Sequence, residues 1–180
     1  MAAQPEATYW SVSQNDNFLS CQCSECKKIA AEYGGESGLM IWFVNRVAAM
    51  FPEKTISTLA YQYSRSAPRH IKPLPNVNIM LCTIECNRSK PIAEDPSSAS
   101  FVRDIRDWTR LTDNIFIWDY VVQFRNYISP FPNLDVLQPN LEFFASQGCK
   151  LMFQQGSNKS LSEFIDLRSY IIAKLLWNPK

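Results

Sequence analysis

The sequence predicts an α/β fold, the C-terminal portion of a TIM-type (β/α)₈ barrel built from about five strand-helix units. Short β-branched and aromatic runs alternate with longer runs of helical apolar spacing, a pattern typical of a parallel sheet with crossover helices. The predicted strand ends at Glu85, Asp119 and Gln154 lie 34 and 35 residues apart, close to the ~31 residues per unit of a complete barrel. The 180 residues are fewer than the ~250 of such a barrel. We therefore expect residues 1–180 to form a single partial barrel domain, a fragment of a larger multidomain protein.

Five segments have the composition of strands and run into polar or acidic residues. Segment 77–84 is the clearest, because it is apolar on both faces, as buried parallel strands are. The predicted strands are 8–13, 55–61, 77–84, 114–118 and 149–153.

Helices are predicted in three of the four intervals, two of them in the first interval, and after the last strand. Apolar residues at helical spacing, capping residues and glycine or proline stops define them. The predicted helices run from the cysteine cluster to Tyr33, over 39–51, from an N-cap at Ser100 to Leu111, over 134–147, and from a cap at Ser160 to Trp177. Segment 62–75 holds three prolines and no periodicity, so a loop is expected there instead of a crossover helix. Trp42, Trp108 and Trp177 fall on helical faces and are expected in the core.

The rival architecture is the open doubly wound sheet. It is disfavoured because no predicted first strand is followed by a GxGxxG turn. Half a barrel would leave unpaired sheet edges at both ends. We therefore expect either a fragment or self-association of the chain through these edges.

Composition excludes several classes of partner. A net charge of +1 gives no general attraction to nucleic acid or to acidic membranes. The most apolar stretch, residues 39–51, is too short to span a bilayer, so no membrane span is expected. The first residues have neither a basic nor an apolar signal-peptide region, so no signal peptide is predicted on this chain.

Groups at the carboxyl ends of parallel barrel strands converge on one pocket. The groups so placed are Asn15, Asp16, Tyr61, Gln62, Tyr63, Glu85, Trp118, Asp119, Tyr120, Gln154 and Gln155. Carboxylates among aromatic rings and amides suit a sugar, because acids can cleave a glycosidic bond and rings pack on pyranose faces. The partner predicted here is therefore a carbohydrate.

Glu85 and Asp119 follow neighbouring strands and are the first candidates for general acid and for base or nucleophile. Asp16 is a third catalytic candidate and would hold sugar hydroxyls together with Asn15. The alternative for Glu85 and Asp119 is a helix cap or an ion pair at the start of a loop, and for Asp16 it is a cap of the following helix. The remaining groups are predicted to bind substrate, with Trp10, Tyr61, Trp118 and Tyr120 as sugar platforms.

Three cysteines in the pattern Cys21-x-Cys23-x-x-Cys26 have a spacing that suits one structural zinc ion. The fourth ligand would come from Cys82, Cys86 or a residue outside the chain. Free thiols or a redox-labile pair are the alternative. No other cofactor is predicted, since the sequence has no P-loop and no HExxH motif.

An ordered set of short strings carries a family resemblance. The strings are Ser11-Val-Ser-Gln-Asn-Asp-Asn17 with the cysteine pattern, Thr58-Leu-Ala-Tyr-Gln-Tyr63, Ile117-Trp-Asp-Tyr120, Pro130-Phe-Pro-Asn133 and Leu175-Leu-Trp-Asn-Pro179. In these the chain resembles a domain-of-unknown-function family of glycoside-hydrolase-like barrels, similar in architecture to α-glucuronidases and β-hexosaminidases.

The resemblance implies a glycoside-hydrolase-like domain of a larger protein that degrades polysaccharides in the periplasm or at the cell surface. It also implies an acidic residue after the last strand, in a string like Phe-Glu-Gln-Gly, where this chain reads Phe153-Gln-Gln-Gly156. If active relatives use that acid, its replacement favours a catalytically inactive carbohydrate-binding barrel, and a purely structural fragment is a further alternative. Because the first barrel strands are missing, we expect this fragment alone to be inactive.

Overall fold

A computed structural model describes residues 4–157 and 161–180. The strands are β1 (Tyr9–Ser11), β2 (Thr55–Ala60), β3 (Val77–Cys82), β4 (Ile115–Tyr120) and β5 (Leu151–Gln155). The helices are α1 (Ser24–Tyr33), α2 (Glu36–Met50), α3 (Ala99–Thr109), α4 (Leu134–Ser146) and α5 (Ile165–Trp177). The chain thus has the α/β class that the alternating pattern predicts.

The five strands form one curled, half-barrel sheet in the order β1-β2-β3-β4-β5. Every neighbouring pair is parallel, with Ile56 opposite Val77 and Ile117 opposite Met152 as examples of the register. All five carboxyl ends therefore lie at the same edge of the sheet. Among the described residues β1 and β5 pair on one side only, as a partial barrel requires.

The connection between β2 and β3 contains no α-helix, as its prolines predict. A short 3₁₀ turn, Gln62–Ser64, follows β2, and irregular chain leads from there to β3. Gln62 has a φ of 50°, in the left-handed region that side chains other than glycine rarely adopt. This turn separates Tyr61 from the rest of the loop.

Gly34 ends α1 in the left-handed conformation, with a φ of 86°. A Cβ atom there would lie 2.8 Å from the backbone nitrogen of Arg69. Glycine is therefore required both by the backbone conformation and by the loop that crosses the end of α1.

The hydrophobic core lies between the sheet and the helices. Ile79 of β3 and Ile117 of β4 pack there with Phe101 and Trp108 of α3 and with Phe144 of α4. Side chains alternate along a strand, so the intervening residues form a second surface that we call the inner face. The inner face includes Tyr9, Leu59, Tyr61, Cys82, Phe116, Trp118, Tyr120, Phe153 and Gln155. It is only partly covered: Tyr9 contacts Phe116 at 5.9 Å and Trp118 contacts Phe153 at 4.9 Å between ring centroids, yet Tyr9 is 53% exposed.

Two expectations about the helices differ from the structure, and a third is not tested by it. The prediction of Ser100 as an N-cap was wrong, because α3 begins at Ala99 and the Ser100 hydroxyl instead accepts from Arg65. Trp108 is buried, but the prediction that Trp177 lies in the core was wrong, because its side chain is 91% exposed. The cap predicted at Ser160 lies outside the described residues. No described helix has the length and apolarity needed to cross a membrane.

Candidate functional site

A carboxylate and a phenol are hydrogen-bonded to each other at the carboxyl end of the inner face. Asp16 lies in the connection from β1 to α1, and Tyr61 directly follows β2. The Tyr61 hydroxyl donates a hydrogen bond of 3.2 Å to Oδ1 of Asp16. Burial raises the pKa of Tyr61, and the negative charge of Asp16 adds to that rise. The phenol therefore stays protonated at neutral pH and serves as a donor.

Gln14 holds this connection against β2. Its amide donates to the Tyr61 carbonyl oxygen at 3.1 Å, and its amide oxygen accepts from the Ser64 hydroxyl. Sequence reasoning missed Gln14, because it gave weight to Asn15 and Asp16 in the same polar run. Asn15 itself is exposed.

Tyr120 and Cys82 lie beside this pair on neighbouring strands. Burial raises the pKa of Tyr120 and raises that of Cys82 to about 12, and the two side chains are within hydrogen-bond reach of each other. The charge of Asp16 and the Tyr61 phenol also raise the pKa of Tyr120. The structure thus brings together Asp16, Tyr61 and Tyr120, and adds Cys82, which the sequence interpretation had considered only as a zinc ligand.

Trp118 continues the aromatic surface along β4. Its ring stacks on Tyr120 with a centroid distance of 6.1 Å and an interplanar angle of 20°. Its indole N–H donates to Oε1 of Gln155 at 2.7 Å. The indole and amide are thereby fixed in relative orientation on the inner face.

A cavity of about 460 Å³ opens beside Trp118. Its wall includes Phe153, Gln155 and Ser157 from the end of β5 and Ser162 and Arg168 from the final segment. This volume is in the range of small-molecule pockets. The wall combines aromatic rings, hydroxyls and amides with aliphatic side chains, and such a surface can bind both the apolar faces and the hydroxyls of a polyol.

Arg88 adds a cation near the same aromatic surface. Its guanidinium lies 5.9 Å from the centroid of the Tyr120 ring and 5.5 Å from that of Phe124. One guanidinium N–H donates to the Ile84 carbonyl oxygen at 3.0 Å. Among the described residues, Nε of Arg88 is buried without a hydrogen-bond partner. No sequence motif pointed to Arg88, since it lies in a loop without periodicity.

Glu85 is neutralised by an ion pair outside the inner face. Its carboxylate lies 3.1 Å from the Arg65 guanidinium, and its side chain is 42% exposed. Arg65 also pairs with Asp104 at 2.7 Å and donates to Ser100 at 2.9 Å. This arrangement matches the ion-pair alternative considered for Glu85.

Asp119 lies within β4, one residue before its end, and shares the face of Ile115 and Ile117 that packs against the helices. The side chain is 3% exposed. Oδ1 accepts from the Thr83 hydroxyl at 2.6 Å and Oδ2 accepts from the Gln154 amide at 3.1 Å. The structure therefore joins Asp119 to Gln154 beneath the sheet end, whereas Glu85 lies with Arg65.

Burial raises the pKa of Asp119, and the bonds from Thr83 and Gln154 oppose the rise only in part. The folded chain thus binds this proton more tightly than the unfolded chain does. The contribution of Asp119 to the free energy of unfolding is therefore greatest below the ordinary Asp pKa of about 4 and is lost as pH rises through the raised folded-state pKa.

Replacing Asp119 with asparagine is expected to remove this pH-dependent loss. The Asn side chain can accept from Thr83, and a turned Gln154 amide can present its Oε1, which has no partner among the described side chains, to the new N–H group. Urea unfolding from pH 4 to 8 should show a flatter profile in Asp119→Asn than in the wild type. Equal slopes in the two proteins would contradict a raised pKa at Asp119.

Tyr63 and Gln62, two further predicted binding residues, have different surroundings from each other. Burial raises the pKa of Tyr63, with a further rise from the charge of Glu36 in α2, which places Tyr63 towards that helix. Oε1 of Gln62 is buried without a partner among the described groups. The Gln62 side chain also lies within hydrogen-bond reach of the Tyr61 hydroxyl and lowers the pKa of that phenol slightly against the rise from burial. Gln62 therefore belongs to the surroundings of Tyr61, whereas Tyr63 lies towards α2.

The three clustered cysteines come together at the start of α1. Their sulfur atoms all lie within 4.8 Å of one another, and no other described His, Cys, Asp or Glu side chain joins the group. Cys82 and Cys86 are buried and do not join the group, so of the fourth ligands considered a residue outside the chain is left. The backbone N–H of Cys26 lowers the pKa of the Cys23 thiol.

One family model matches the chain over residues 1–180, and its description is "Domain of unknown function (DUF4838)". No curated protein matches the chain. The family match covers all the elements and site residues described above.

Proposed function

The chain belongs to the DUF4838 family, and from this premise we propose that it is the glycan-binding part of a glycoside-hydrolase-like TIM-type barrel. The observation that carries the proposal is the inner-face surface of Trp118, Tyr120 and Tyr61 with Gln155 and Asp16 at its edge. Aromatic faces bind the apolar faces of a pyranose, and the amide and carboxylate supply hydrogen bonds to its hydroxyls.

The TIM-type assignment is supported by the strand order and by the position of the site. Five parallel strands follow one another in sequence order within a curled sheet. Polar residues meet at their carboxyl ends, the position of active sites in (β/α)₈ enzymes. On this proposal the remaining barrel strands would face Tyr9 and Phe153 across the inner face.

The surroundings of Glu85 and Asp119, the first two catalytic candidates, favour glycan binding over hydrolysis. Glu85 is paired with Arg65, and Asp119 is enclosed by Thr83 and Gln154. A carboxylate pair for glycoside cleavage must flank the scissile bond from solvent-accessible positions. Asp16, which is exposed and bonded to Tyr61, is the catalytic candidate best placed to reach a ligand.

One observation favours hydrolysis as the second candidate function. Burial raises the pKa of Asp119, as general acids in glycosidases require. Gln154, which contacts Asp119, also stands at the position where the family resemblance implies a glutamate. A glutamate at position 154 would place a second carboxyl within hydrogen-bond distance of Asp119, and like charges so close cannot both ionise.

Replacing Trp118 with alanine is expected to weaken glycan binding about tenfold, which corresponds to ~1.4 kcal/mol. The variant removes the ring that stacks on Tyr120 and lines the 460 Å³ cavity. The probes are neutral and uronic-acid oligosaccharides, first on an array and then in calorimetry with the best binder.

Trp177→Ala is the matched control, since this tryptophan is 91% exposed and lies at the far end of α5. It should bind as the wild type does. Failure of the wild type to bind any oligosaccharide, or an equal loss in both variants, would overturn the glycan-binding proposal. Aryl glycosides and uronides are assayed in parallel with Glu85→Gln and Asp119→Asn. If the wild type cleaves one of these substrates and both variants lose this activity, hydrolysis through Glu85 and Asp119 replaces glycan binding as the function.

We also propose that the chain associates with itself through its sheet edges. A periplasmic or cell-surface location is proposed on the basis of the family resemblance. The β1 and β5 edges carry exposed apolar side chains, including Tyr9, Leu151 and Phe153. An unpaired edge of this kind is a template for another strand, from the rest of a barrel or from a second copy.

A further inference from the structure

The cysteines of the β1–α1 connection form a compact group of soft ligands. Sγ of Cys21 lies 3.5 Å from Sγ of Cys23, and all three sulfur atoms are within 4.8 Å of one another. Three thiolates around tetrahedral zinc, with Zn–S bonds of ≈ 2.3 Å, have sulfur separations of ~3.8 Å. The separations in the chain are compatible with that value.

Local structure fixes two of the three sulfur atoms. Cys23 is the N-cap of α1, and its sulfur accepts from the Cys26 backbone N–H at 3.4 Å. Cys26 lies in the first turn of a helix of 10 residues. The free N–H groups and the positive end of the helix dipole favour negative charge at this position. Only Cys21, in the preceding loop, has to be positioned by the irregular chain.

We propose that Cys21, Cys23 and Cys26 bind one zinc ion, with the fourth coordination position open to water or to an external ligand. Cys21 and Cys23 are exposed and Cys26 is half-buried, so an ion can reach the site from solvent. No fourth protein ligand lies near among the described residues. Three thiolates and Zn²⁺ carry a net charge of −1, which the α1 N-terminus stabilises.

The ion would act on the connection that carries Asp16. This connection is tied to β2 by Gln14 and by the bond between Asp16 and Tyr61. A metal at Cys21, Cys23 and Cys26 would tie its other end to α1. Its role is therefore to fix the loop between β1 and α1, independently of whether the inner face binds a glycan.

Cobalt substitution tests the site directly. The full chain is reduced, freed of metal with a chelator and titrated with Co²⁺. The expected result is a sulfur-to-cobalt charge-transfer band that saturates at one ion per chain and disappears when Zn²⁺ is added. Cys23→Ala and Cys26→Ala should each lower the Co²⁺ affinity at least tenfold. Cys149→Ala, which changes a thiol outside the group, is the matched control and should keep the band.

A second measurement on the wild type does not depend on variant folding. Zn²⁺ should protect Cys21, Cys23 and Cys26 from alkylation, as mapped by mass spectrometry, and should leave the reactivity of the other cysteines unchanged. Absence of a saturable band, equal loss in Cys149→Ala, or alkylation of the three thiols at saturating Zn²⁺ would overturn the proposal. A disulfide among the three that persists in the reduced, zinc-treated chain would also overturn it.

Discussion

Replacing Arg168 with methionine is expected to lower the free energy of unfolding by about 3–5 kcal/mol, the cost of breaking a buried ion pair from one side. Arg168 is 7% exposed. It donates to Oδ1 of Asn133 at 2.5 Å, to Oε2 of Glu163 at 2.8 Å and to the carbonyl oxygens of Phe131 and Glu163. Methionine fills similar space but leaves these acceptors without their donor.

Urea unfolding at pH 7 measures this loss. Arg110→Met is the control, because Arg110 pairs with Asp107 at an exposed position and should change stability by less than about 1 kcal/mol. If Arg168→Met lowered the free energy of unfolding by less than about 1 kcal/mol, this would contradict the role of Arg168 in joining α5 to the β4–α4 loop.

The same network has a pH signature. The Phe131 backbone N–H, followed by the Arg168 guanidinium, lowers the pKa of Glu163. Its contribution to stability is therefore present above the ordinary Glu pKa and is lost as pH falls through the lower folded-state pKa. The wild type should lose more stability on acidification than Arg168→Met does.

Replacing Arg65 with methionine is expected to have the second large effect, a loss of about 3 kcal/mol. Arg65 bridges Asp104 of α3, Glu85 after β3 and Ser100. The Asp104 side chain is only 10% exposed, so its charge would be left buried without a partner. Most of the loss should come from Asp104, because Glu85 can turn to solvent.

A double-mutant cycle separates these contributions. Asp104→Asn in the Arg65→Met background should recover part of the lost stability, since it removes the unpaired charge. Glu85→Gln in the same background should recover little. Additive effects of Arg65→Met and Asp104→Asn in unfolding experiments would show that the pair is not coupled.

The sequence predicted the parallel sheet well, since alternating strand and helix patterns imply parallel strands joined by crossovers. Residues 77–84 and 114–118 were recognisable as strands because buried parallel strands are continuously apolar. The prolines between Tyr61 and Val77 correctly predicted a connection without an α-helix. Each of these features depends on local sequence alone.

The site was harder to predict, because it depends on which face of a strand each residue occupies. Treating Asp119 as the residue after β4 placed its carboxylate in a pocket, whereas β4 continues to Tyr120. The alternation of Ile115, Ile117 and Asp119 was the available signal for the helix side. Trp177 shows a related limit: helical periodicity identifies an apolar position, but not whether another layer covers it.

The contacts of Arg65 could not be read from the sequence. Arg65 comes from a loop without periodicity, and its partners lie 20 residues away at Glu85 and 39 residues away at Asp104. Such ion pairs are determined by how loops cross the sheet end. Ser100 was accordingly expected to cap α3, although its hydroxyl belongs to this network.

The sequential order of the strands affects which parts of the chain can unfold locally. Each strand pairs only with the strand before and after it in sequence, as repeats do in a solenoid, so local unfolding can proceed from one end without disturbing the other. In strand β5 and helix α5 Arg168 is the one buried residue among those described, and Leu151, Phe153, Leu167 and Trp177 are exposed. Detachment of this unit would leave β1 to β4 paired, and it would break the bond from Arg168 to Asn133 that joins α5 to the rest of the chain.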